Sequence, residues 1–102
     1  MLAVRLVEFG SLTTITLRGE LDLTTVHKLI SALALAERSA ARRIVLDLTA
    51  VDFIDARGLR ALVQAANRSR VDGDRLRIRN GPGPVTRMIA LTSLEERLPL
   101  VA

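Results

Sequence analysis

The run Ile44-Val45-Leu46-Asp47-Leu48 constrains the fold more than any other stretch of this chain. It is apolar at odd and even positions alike, so an extended segment here has no wholly polar face. Such a strand is expected to be covered on both sides and to lie inside a sheet. Its flanks are helical in pattern. Upstream, Val26, Leu29, Ile30 and Leu33 fall at i, i+3, i+4 and i+7, which predicts one apolar helix face over roughly Thr25 to Arg38. Downstream, Leu59, Leu62, Val63 and Ala66 predict a second helix from Arg57 to Arg70. Strands alternating with helices imply an α/β layer architecture with parallel crossovers.

The remaining elements follow from local pattern. Ala3 to Phe9 is short and apolar. Thr13 to Arg18 alternates, with Ile15 and Leu17 on one side and Thr14, Thr16 and Arg18 on the other, the period of a half-buried strand. Gly10-Ser11 between them predicts a hairpin. Gly19-Glu20-Leu21-Asp22 breaks the alternation, and Asp22 and Thr24 are both suited to cap the first helix. The central strand is expected to end at Thr49, with Val51 to Asp55 as a connection anchored in the core by Phe53 and Ile54. Asp72-Gly73-Asp74 stops the second helix, and Arg75-Leu76-Arg77-Ile78-Arg79 alternates arginine outward with aliphatic inward. Gly81-Pro82-Gly83-Pro84 reads as a turn, and Pro84 suits the first position of a third helix with Val85, Met88, Ile89 and Thr92 inward. A short element from Leu94 to Val101 closes a single domain over residues 1–102.

Composition argues against chemistry. With no cysteine there is neither a disulfide nor a thiolate metal site. The one histidine, His27, is expected on the surface of the first helix, and no serine sits in a nucleophile elbow. Prolines 82 and 84 remove N–H donors that a phosphate-binding loop needs. Asp47, Asp52 and Asp55 are read as solvated loop residues and caps, not metal ligands. The expectation is a non-enzyme without cofactor. The net charge of +4 raises a nucleic-acid reading, but fourteen of the fifteen cations are arginines spread along the chain, and Phe9 and Phe53 are the only aromatics for base stacking. No nucleic-acid partner is expected. The first ten residues lack the basic and unbroken apolar regions of a signal peptide. No stretch approaches the roughly 20 apolar residues that span a bilayer. A cytoplasmic protein without membrane insertion, monomeric or weakly dimeric, is the expectation.

The unusual segment is Asp47-Leu-Thr-Ala-Val-Asp-Phe-Ile-Asp-Ala-Arg-Gly-Leu59. A buried strand delivers a turn, and the turn delivers a helix N-terminus. Asp55 can cap that helix, with Ala56 to Gly58 as its first turn. Such a terminus gathers unpaired N–H groups and positive dipole charge, so it suits a switch residue. Gly58 allows close approach of another backbone or a partner.

Three blocks carry a resemblance. They are Leu17-Arg-Gly-Glu-Leu-Asp22, then Ile44 through Leu59, then Val85-Thr-Arg-Met-Ile-Ala-Leu-Thr-Ser-Leu94 followed by Arg97-Leu-Pro-Leu100. In this order and spacing they resemble the STAS family of anti-sigma-factor antagonists. The resemblance implies a small mixed sheet of four to five strands flanked by helices. It also implies partner switching in transcription regulation. A STAS antagonist of this type binds an anti-sigma factor that is a serine kinase of the histidine-kinase-like ATPase fold, and is released when a serine at the start of the second helix is phosphorylated. The family pattern there is Asp-Ser-Ser-Gly, whereas this chain reads Asp55-Ala56-Arg57-Gly58. Ala56 stands at the acceptor position without a hydroxyl. By resemblance, Asp22, Thr24, Asp55, Ala56, Arg57 and Gly58 form the partner-binding surface. Thr49, Thr24 and Thr25 are alternative acceptors near the same end of the sheet. Three readings stay open: a constitutive antagonist, a diverged scaffold for another partner, and a STAS subunit docked on an ATP-binding-cassette transporter component.

Overall fold

The computed structural model describes residues 1–101. Strands β1 (Leu2–Phe9) and β2 (Leu12–Leu21) form the expected hairpin, with Phe9 opposite Leu12 and Gly10 at a positive φ of 61°. Helix α1 (Val26–Arg38), strand β3 (Arg43–Ile54), helix α2 (Ala56–Val71), strand β4 (Leu76–Arg79) and helix α3 (Pro84–Leu91) follow. A 3-10 turn at Glu95–Arg97 and the two-residue strand β5 (Leu100–Val101) complete the described chain. The sheet order is β1-β2-β3-β4-β5, antiparallel only between β1 and β2. An order that advances one strand at a time, joined by right-handed crossovers, sends the helices to one side of the sheet.

The register shows the consequence. Leu6, Ile15, Leu46, Ile78 and Leu100 form one row across all five strands. Ile15, Leu46 and Ile78 are fully buried within it. The alternate row, Arg5, Thr16, Asp47, Arg79 and Val101, is exposed or half-buried throughout. The first half of β3 is central, as expected, but covered on one face only. Val45 and Asp47 are half-buried on the other face.

Both long strands outrun their predicted ends. β2 continues through Gly19-Glu20-Leu21, and β3 continues five residues past Thr49. Two register shifts against β2 explain why the pattern hid this. Thr16 and Arg18 face Asp47 and Ala50, and Gly19 and Glu20 face Val51 and Phe53. Each shift inserts one extra β3 residue, as a bulge does. After Ile44 and Leu46, the buried residues of the second half of β3 are therefore Leu48, Val51 and Ile54, spaced by three where a regular strand would space them by two. Gly19 (φ 109°) lies so near Met1 that a Cβ would stand 2.4 Å from its carbonyl oxygen.

Three side-chain assignments shift, two inward and one outward. In α1 the buried stripe is Leu29, Ala32, Leu33 and Ala36, while Ile30 is half exposed. In α3, Val85 and Ile89 are buried, but Thr92 is an exposed C-cap whose hydroxyl donates to the Met88 carbonyl. Arg75 does not point outward. Its guanidinium donates to the carbonyls of Glu37 (2.6 Å), Ala41 (2.8 Å) and Ser39 (3.2 Å) and to Asp72 Oδ2 (2.7 Å). A cation here satisfies carbonyls at the C-terminus of α1 and ties that end to the C-cap of α2.

Candidate functional site

The C-terminal ends of β2 and β3 lie side by side, with Leu21 paired to Ile54. The loop after each strand therefore starts from the same edge. Asp55 joins the two. It sits in an extended conformation as the N-cap of α2, and its Oδ1 accepts from the Gly58 N–H at 3.0 Å. Its second oxygen, Oδ2, accepts from the Leu23 N–H at 3.0 Å, across to the β2–α1 loop. The Asp55 N–H donates to the Leu21 carbonyl at 3.2 Å. One residue thus orders the helix start and the neighbouring loop together.

The β2–α1 loop is organised by Asp22. Its Oδ1 accepts from the Thr24 hydroxyl (2.7 Å) and the Thr24 N–H (2.9 Å). The Thr24 hydroxyl holds the Asp22 carboxyl below its ordinary value against an opposing push from burial, and the Thr24 N–H lowers it further. Neither Asp22 nor Thr24 caps α1, contrary to expectation. The N-cap is Thr25, which makes no side-chain cap bond. Its buried hydroxyl donates to the Glu20 carbonyl instead (2.7 Å), so the aspartate stabilises the turn and not the helix.

Of the six residues assigned to the partner surface, Thr24, Ala56 and Arg57 are exposed, and Asp22 and Asp55 are half-buried. Gly58 is buried. A Cβ there would stand 2.8 Å from Leu21 Cγ and 2.9 Å from the Leu21 carbonyl oxygen. The close approach that Gly58 permits is to the backbone of β2, which draws α2 against the sheet. It shapes the surface from beneath and is not part of it. Phe53 also departs from expectation. Ile54 is anchored in the core, but Phe53 is 50% exposed, near Pro84, Met88 and the exposed Leu91. With Leu23 exposed as well, this end of the sheet carries apolar side chains that the sequence pattern did not single out. Phe53 turns outward because the bulge shifts its phase, which is invisible in a period-two reading.

Thr49 occupies the first β3 bulge and is exposed; its hydroxyl donates to Asp47 Oδ1 at 2.7 Å. Asp47, Asp52 and Asp55 stay apart in role: one braces Thr49, one is exposed, one caps α2. Among the described residues no group of three histidine or acidic side chains is gathered for a metal. No helix among the described residues is long and apolar enough to cross a membrane.

Solved structures define the class to which this architecture belongs. An anti-sigma factor antagonist from Mycobacterium paratuberculosis superposes with a TM-score of 0.86 at 22% identity, over 98% of this chain and 85% of that one. The phosphorylated form of the Bacillus cell-fate determinant SpoIIAA gives a TM-score of 0.71 at 19% identity, over 98% and 92%. A candidate anti-sigma factor antagonist from Thermotoga maritima gives 0.82 at 17% identity, over 95% and 84%. The fold is the SpoIIAA-like mixed α/β fold. Residues 5–102 match the family STAS_2, described as the MlaB-type STAS domain, and the chain belongs to that family.

Proposed function

We propose that this STAS domain is a binding module of the anti-sigma-factor-antagonist type and that its partner surface is always in the unphosphorylated state. The observation that carries this is the pairing of an intact platform with a missing hydroxyl. Asp55 holds the α2 start and the β2–α1 loop in one surface, and Ala56, exposed beside it, has no oxygen to accept phosphate. The surface consists of Asp22, Thr24, Asp55, Ala56 and Arg57, with Gly58 beneath. The partner is an anti-sigma factor of the serine-kinase type, engaged in the cytoplasm to regulate transcription. The domain itself carries out no catalysis and needs no cofactor.

An anion introduced at residue 56 tests the reading. At an exposed helix N-terminus a carboxylate favours the fold by about 0.3–1 kcal/mol. Buried unpaired against a partner it costs several kcal/mol, on the order of 3–5. Arg57 could pair with it, so the informative variant is Ala56→Asp with Arg57→Ser. Calorimetry should show an unchanged melting temperature and titration a strongly weakened partner. Equal affinity would place the interface elsewhere. Incubation with the kinase-like partner and ATP, followed by mass spectrometry, should find no phosphate between Asp55 and Gly58; phosphate on Thr49 would mean a relocated switch. A second reading, docking on an ATP-binding-cassette subunit, is equally compatible with the absent hydroxyl. An affinity pull-down separates the two, since the kinase-like protein is recovered in the first case and the transporter ATPase in the second. Recovery of neither leaves the diverged scaffold.

A further inference from the structure

The sheet face away from the helices carries five arginines. Pairing across the strands puts Arg5, Thr16, Asp47 and Arg79 in one row, Val7, Thr14, Val45 and Arg77 in the next, and Phe9, Leu12 and Arg43 at the hairpin end. Ala3 and Arg18 lie on the other side of the first row. No residue of this face is buried. Arg5, Arg18, Arg43 and Arg79 are exposed. Asp47 is the only carboxylate within these rows, 3.8 Å from Arg79. Glu20, at the margin, is occupied by the N-terminal amine. These rows, with five arginines and one aspartate, sum to +4, the same as the formal net charge of the chain. The basic residues looked scattered in sequence because one arginine comes from each of β1, β2 and β3 and two from β4. Adjacent strands about 4.8 Å apart bring them together.

We propose that this open sheet face is a second docking surface, and that its occupant is an acidic segment of a partner protein. Guanidinium groups bind carboxylates through paired hydrogen bonds, and the four exposed ones, Arg5, Arg18, Arg43 and Arg79, suit a run of Asp and Glu, while Arg77 is half-buried and held beside Asp74. Aliphatic side chains stand between them. Val7 and Leu12 are exposed and Phe9 is 83% exposed at the hairpin turn. Arginine and aromatic side chains are enriched in protein–protein interfaces. A phosphate backbone or a headgroup layer is a poorer fit, because Asp47 sits in the middle of the array and one phenylalanine gives no series of stacking platforms. The face is on the reverse of the sheet from the α2 start, so the domain can hold two partners at once and act as a bridge.

The test uses the whole chain and a fluorescein-labelled oligoglutamate, followed by anisotropy at low and moderate ionic strength. Binding should weaken steeply with salt, as for exposed charge pairs. The variant Arg5→Glu with Arg79→Glu should lose about tenfold or more in affinity. The control Arg60→Glu with Arg87→Glu makes the same change in net charge at exposed helical positions and should stay within about twofold. Circular dichroism establishes that both variants are folded. A duplex DNA and phosphatidylglycerol vesicles form the parallel arms. The proposal is overturned if oligoglutamate does not bind at low salt, if both variants lose equally, or if the duplex or the vesicles bind more tightly than the peptide.

Discussion

Single residues at the α2 start have separable roles. Gly58 admits no side chain, since a Cβ would meet Leu21 at 2.8 and 2.9 Å. Gly58→Ala should therefore destabilise the fold by about 1–3 kcal/mol through overpacking, and thermal unfolding should shift by several degrees. The same clash makes Gly58→Trp a probe of stability and not of binding. Asp55→Ala removes a helix cap and frees the Leu23 N–H. Its expected cost is about 1–2 kcal/mol in urea unfolding, with a larger relative loss in partner binding because both loops are released. Asp22 adds a pH dependence. Its folded value is depressed, so its stabilisation is present above the ordinary aspartate range and is lost as pH falls through the folded value. Acid unfolding of Asp22→Asn should show a flatter limb below that range than wild type; superimposable limbs would remove Asp22 from the account.

At the scale of elements, Arg75 is the cross-link that periodicity disguised. It alternates with Leu76 and Ile78 as a surface residue would, yet its side chain is only 14% exposed and reaches three carbonyls and a carboxylate. Arg75→Ala leaves those acceptors near the end of α1 without a donor. Chemical denaturation should show a loss of about 2–4 kcal/mol, with Arg75→Lys intermediate because an ammonium cannot span the same fork. The β3 bulges are a second element-scale device. They turn Val51 and Ile54 into the core with a spacing of three, and they carry the strand to the point where Asp55 meets the β2–α1 loop. In α1, the buried stripe passes through Ala32 and Ala36, small side chains that allow close packing. Ile30, the larger apolar side chain at helical spacing, is left half exposed.

For the whole molecule, one core lies beneath one sheet face. Leu62 has no exposed surface and belongs to that core, together with Leu29, Leu33 and Leu46. Leu62→Ala should cost about 3–5 kcal/mol, much of the stability of a domain this size, with the full transition moving as a unit. The charge asymmetry is a property of the same scale. The strand rows of the open face sum to +4, so electrostatic attraction for an acidic partner is strongest there.

The alternating hairpin, the two amphipathic helices, the Gly-Pro turn and the ordered blocks around Asp22, Asp55 and Val85 were legible in the chain because each rests on local spacing or on a contiguous motif. Those signals settled the α/β class, the family and the absence of a hydroxyl at residue 56. Other features needed the folded chain. Bulges change the burial phase without changing composition, so the length of β3 and the exposure of Phe53 follow from the register against β2. The Asp55 bridge to Leu23 spans 32 residues, and the Arg75 bonds to α1 and the loop after it span 34 to 38. No local periodicity records contacts at such separations. The basic face belongs with them, because its five arginines are neighbours only across strands, where hydrogen-bonded register replaces sequence distance.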